Sequence, residues 1–103
     1  MRGRSEIEIR KTEFYLDIKR NPEYGIFLTV YDKEVLEGDT FLKGKEYTKI
    51  SKGEELIREL RDAVSIIFYG EKAVELGVIL KYVHPEAVGV QKGIKTAIYI
   101  MTF

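Results

Sequence analysis

Eight residues, Tyr15, Lys19, Phe27, Tyr31, Phe41, Lys43, Tyr47 and Lys49, set aromatic rings and ammonium groups side by side at strand spacing. Rings of this kind can stack nucleobases for about 1–3 kcal/mol each, and lysines neutralise phosphates with release of counterions. Arg20 and Lys45, at expected hairpin tips, would lengthen the phosphate track. A face so built suits sequence-independent binding of single-stranded DNA or RNA. It equally suits a different role. Aromatic side chains are good strand formers and stabilise sheets in cross-strand pairs, so the face can instead be the interface of a non-enzymatic oligomerising module.

The elements that would carry these residues begin with a hairpin, Phe14 to Tyr31. Even positions Phe14, Leu16, Ile18, Ile26, Leu28 and Val30 are apolar, while odd positions Tyr15, Asp17, Lys19, Phe27, Thr29 and Tyr31 are not uniformly so. Alternation makes the even face core and the odd face outer. Asn21-Pro22-Glu23-Tyr24-Gly25 has turn chemistry: Pro sets φ and Gly permits positive φ. Upstream, Ile7 and Ile9 alternate with charged residues as a lead-in strand, offset in parity by a bulge or break near Lys11–Glu13. Downstream, 40–43 and 46–50 read as a second hairpin around Gly44-Lys45, with Phe41, Lys43, Tyr47 and Lys49 on the outer face.

Ser51, with Glu54 three residues later, is a capping-box pattern. Leu56, Ile57, Leu60, Val64, Ile67 and Phe68 follow at helical spacing, which predicts a helix over 52–69 covering the even face. Residues 71–83 fit either period, with helix preferred because Pro85 follows a run too long for a strand. The stretch 94–103 is β-prone and apolar on both faces, which suits either a central strand or a dimer interface. The expected fold is therefore α+β. A four-stranded antiparallel sheet (6–50) and a covering helix give the order ββββα, and a C-terminal extension (71–103) completes the core or a homodimer.

With that order in place, Phe14-Tyr15-Leu16-Asp17-Ile18-Lys19, a turn, then Gly25-Ile26-Phe27-Leu28 resembles the opening of a PUR repeat. The resemblance covers roughly residues 12–69, and the fold is shared with plant Whirly proteins. It implies binding of single-stranded nucleic acid on a curved sheet, and dimerisation. A looser likeness, in size and composition only, is to thermophile single-stranded-DNA-binding proteins.

Composition bounds the alternatives. One 103-residue domain with 45% apolar residues can bury a core without staples. The absence of cysteine excludes disulfide scaffolds, thiolate metal sites and cysteine nucleophiles. No apolar run approaches a membrane span and the first residues lack a signal-peptide core, so a cytoplasmic protein is expected. One Asn, one Gln and many charged residues resemble thermophile usage. Seventeen basic residues balance seventeen acidic ones, so any basic surface is local. Asp32, Glu34, Glu37 and Asp39 lack a metal-loop spacing and read as solvated, and His84 is the sole histidine. Neither these nor the glycines form a catalytic or nucleotide-binding motif, so no enzyme, cofactor, metal or small-molecule substrate is expected.

Overall fold

The computed structural model describes residues 6–102, which form an α+β fold around a six-stranded mixed sheet. The first described element is a short helix, α1 (Glu6–Lys11), where a lead-in strand was expected. Only Ile9 of the two isoleucines needs burial, and Ile7 stays exposed, so one turn of helix satisfies the segment. Glu6 and Glu8 in the first turn and Arg10 and Lys11 in the last complement the helix dipole. The parity change near Lys11–Glu13 is thus a change of element and not a bulge.

The hairpin is as expected. β1 (Glu13–Asn21) and β2 (Gly25–Asp32) pair antiparallel with Leu16 opposite Val30 and Lys19 opposite Phe27. The Asn21 side-chain oxygen accepts the backbone N–H groups of Glu23 and Tyr24, and Gly25 takes φ 107° to close the turn. Phe14, Leu16, Leu28 and Val30 are buried on the even face.

A short helix, α2 (Lys33–Glu37), and an irregular segment follow. The second hairpin does not form. Only β3 (Lys49–Lys52) is a strand, and it pairs with β1. The helix expected over 52–69 divides into α3 (Gly53–Glu59), a 3₁₀ turn (Leu60–Asp62) and β4 (Ala63–Tyr69). Its N-terminal carboxylate contact comes from Glu55, which accepts the backbone N–H of Lys52, while Ser51 donates its hydroxyl to Glu59. The run Ala-Val-Ser-Ile-Ile-Phe-Tyr is rich in β-branched and aromatic residues, and its apolar residues satisfy both periods. Tertiary pairing decides: β4 lies parallel to β2 in the middle of the sheet.

α4 (Glu71–Ile79) is the preferred helix reading realised, with Ala73, Val74 and Leu76 buried. β5 (Gly89–Gln91) and β6 (Ile94–Ile100) form a hairpin whose turn residues Lys92 and Gly93 both have positive φ. β6 also pairs with β4, so the strand order is β3-β1-β2-β4-β6-β5, antiparallel except for β2 with β4. This replaces the expected four-stranded antiparallel ββββα arrangement. The even face, with Ile66, Phe68 and Ala97, packs under α1, α3 and α4 as one core. Phe103 of the expected terminal strand lies outside the described residues.

Candidate interaction surface

The opposite, outer face of the sheet is arranged in cross-strand rows fixed by the register. One row runs Tyr15, Tyr31, Tyr69, Thr96; the next Asp17, Thr29, Ile67, Ile98; the third Lys19, Phe27, Ser65, Ile100. The first row is covered. Val35, Leu36 and Leu42, from α2 and the segment after it, pack with Ile94 on Tyr15 and Tyr31. Tyr15 is only 8% exposed and Tyr31 3%, so neither ring presents a face for stacking a base. Tyr31 instead stacks on Tyr69 with centroids 5.5 Å apart. The Tyr15 hydroxyl bonds to the Glu37 carboxylate. That bond, with burial, pushes its pKa up to about 12. Burial, reinforced by the Asp17 charge, raises Tyr31 to about 12 as well.

The remaining expected contacts scatter. Tyr47 is exposed at the β3 side and its ring lies 4.3 Å from that of Tyr15, centroid to centroid. Phe41 is exposed beneath the ammonium of Lys92, far along the sheet by the β5–β6 turn. Lys43 and Lys45 are exposed on the irregular segment after α2. Lys49 lies on the helix side of the sheet, opposite Leu16, and is ion-paired with Glu59. Of the ten residues, only Lys19 and Phe27 stay together on the open outer face, while Arg20, exposed near the hairpin tip, is in register with Ile26 and so belongs to the other face.

Beside the exposed Lys19, what the second and third rows expose is mainly apolar. Phe27 is 37% exposed, Ile98 59% and Ile100 67%, with Ile67 half-buried between them. Isolated exposed hydrophobic residues are ordinary, but a contiguous set on one rigid face marks an interaction site. Sequence reasoning missed Ile67 because it placed that residue on a helix. The signal for Ile98 and Ile100 was present in the two-sided apolar character of 94–103.

A second feature had no local signal. Asp32, at the end of β2, is buried and accepts the backbone N–H groups of Lys72 (2.9 Å) and Ala73 (2.6 Å) at the start of α4. Burial raises its pKa to about 6, opposed in part by those two hydrogen bonds. The other acidic residues of the stretch belong to α2 and the segment after it, and no three His, Asp or Glu come together as a metal site among the described residues. No described helix is long and apolar enough to cross a membrane.

No family model and no curated protein matches the chain. Among solved structures it is similar to an uncharacterized conserved protein from Methanopyrus kandleri, with TM-score 0.69 over 87% of this chain and 93% of that one. The two are 18% identical, a likeness that shows a shared fold alone.

Proposed function

We propose that the chain is a non-enzymatic oligomerising module that docks a second copy of itself on β6 and the adjoining open half of the outer face. The observation that carries this reading is Ile98 and Ile100, more than half exposed on a strand whose outer edge is open. β5 borders β6 only from Ile94 to Thr96. Lys95 and Met101 turn their main-chain groups toward β4, since the Lys95 carbonyl accepts from Gly70 and the Met101 N–H donates to Val64. By alternation, Ile98 and Ile100 turn theirs outward.

An open strand edge beside exposed apolar side chains is a template for another strand. Antiparallel pairing of β6 with itself about Tyr99 sets Ile98 against the partner's Ile100, and Ile100 against the partner's Ile98. Both are then hydrogen-bonded positions, and the contact closes with two-fold symmetry. Zero net charge removes long-range repulsion between copies.

The test is sedimentation of the wild type against Ile98→Lys and Ile100→Lys, with circular dichroism as the check on folding. A wild-type dimer that both variants convert to folded monomer supports the reading. The chain has no native cysteine, so mixing Ile98→Cys with Ile100→Cys protein should give a crosslinked heterodimer under oxidation, whereas a monomeric wild type at high micromolar concentration overturns the proposal. Salt-sensitive binding of oligo-dT that is lost in Phe27→Ala would return the face to nucleic acid.

A further inference from the structure

The end of the molecule that carries Asp32 gathers four lysines from four elements beside the carboxyl groups of Glu13, Asp32 and Glu34. Lys11 at the end of α1, Lys33 at the start of α2, Lys52 at the end of β3 and Lys72 in the first turn of α4 line one cavity of about 420 Å³. It lies at the carboxyl ends of β2 and β4, the only parallel pair in the described sheet, and ligands favour that end of parallel strands.

The acidic residues in the lining are already engaged. Asp32 holds the α4 amides, Glu13 pairs with Lys33 at 2.7 Å, and Glu34 pairs with Lys72 at 3.1 Å. No ion pair is formed by Lys11 or Lys52 among the described residues. The backbone brings the segments that carry these two side by side. Gly53 donates its N–H to the Thr12 carbonyl, and a side chain at Gly53 would collide with the Ile9 carbonyl, so the β3–α3 junction is pressed onto the end of α1. Lys52 is also opposite Glu13 in the β1–β3 register, which places its stem over the cavity wall. Glu13, held below the usual carboxylate range by Lys33 first and by Lys52 after it, is one carboxylate shared between two lysines, which leaves positive charge in excess on this side of the cavity.

We propose that this cavity binds a compact polyanion through a diphosphate group, with Lys11 and Lys52 as its principal partners and Lys33 and Lys72 flanking. A volume of this size admits a small molecule. The lining has no aromatic ring and no large apolar side chain, so recognition falls on the phosphates and not on an attached base or acyl group. This site is separate from the β6 surface, and its test is independent of oligomeric state.

The experiment is isothermal titration of the intact chain with inorganic pyrophosphate and, in parallel, ADP. The expected result is saturable binding of both with similar affinity, about tenfold weaker or worse in Lys11→Ala/Lys52→Ala and unchanged in Arg61→Gln, which removes a cation elsewhere. Thermal melts confirm that the variants fold, and pyrophosphate should raise the melting temperature of the wild type but not of the double lysine variant. No saturable binding of pyrophosphate, binding of ADP alone, or equal affinity in the double variant would each overturn the assignment. So would binding confined to oligonucleotides, which would make the lysines part of a nucleic-acid track.

Discussion

The carboxylate of Asp32 accepts the backbone N–H of Ala73 at 2.6 Å, joining the end of β2 to the first turn of a helix forty-one residues later. A second bond, from Lys72, completes the cap. The residue before α4 is Gly70, which makes no side-chain cap and has φ 112°. Asp32 from a neighbouring strand thus does what an Asp or Ser at the helix start ordinarily does. The arrangement ties β2, β4 and α4 into one unit, because α4 can begin only where Asp32 can reach it.

Gly70→Ala should be among the most damaging single-methyl additions in the chain. A Cβ there would sit 2.6 Å from the Asp32 Oδ2, in a conformation that L side chains rarely adopt. The backbone strain alone costs about 1–3 kcal/mol, and displacing the cap adds to it. Urea unfolding measures the loss; Gly44→Ala, whose added methyl meets nothing nearby, should show the strain without the clash.

The Asp32 carboxyl gives the protein an acid-side stability profile with a definite sign. Its folded pKa, about 6, lies above the ordinary 3.8, so the folded state binds its proton more tightly than the unfolded state does. The stabilisation is complete below about pH 4 and is lost as pH rises through about 6, with a slope of at most about 1.4 kcal/mol per pH unit. Chemical denaturation from pH 4 to 7 tests this against Asp32→Asn. The variant should lose that slope, and should be less stable at low pH because one helix amide faces the wrong end of the carboxamide.

The covering of the first row predicts two silent tyrosines. Tyr15 and Tyr31, both at about 12, should ionise only well above the usual phenol range in a spectrophotometric titration. Folded-state phenols that hold their protons to about 12 contribute stability that is present below pH 10 and is lost as pH climbs toward 12. Leu42→Ala removes part of the lid over these rings, so it should cost about 2–3 kcal/mol and bring the late titration down toward pH 10.

Neighbours on β4 should respond in opposite ways. Phe68 is fully buried in the core, and Phe68→Ala should cost about 3–5 kcal/mol. Ile67 faces the open row, so Ile67→Lys should leave the monomer nearly as stable while weakening dimerisation. A continuous helix through this region would place both residues on its buried stripe and make both changes severe. Parallel denaturation and sedimentation runs separate the two outcomes.

The sequence by itself determined whatever depends on neighbours along the chain. The Asn21–Gly25 turn fixes the β1–β2 register, and strict alternation fixes which face of that hairpin is core. The α4 helix was legible because a long apolar run ends before Pro85. Tertiary structure decided the rest, for identifiable reasons. Residues 56–68 carry apolar side chains at both periods, and only the vacant main-chain edge of β2 turned the second half into β4. Tyr15 and Tyr31 looked like surface aromatics because alternation says which face a side chain occupies and not what lies over that face. The lid came from Val35, Leu36 and Leu42, in a stretch whose charge suggested open solvent. Asp32, read in sequence as one solvated acid among four, became a buried helix cap because its partners lie forty residues away. No local pattern records a contact made across that distance.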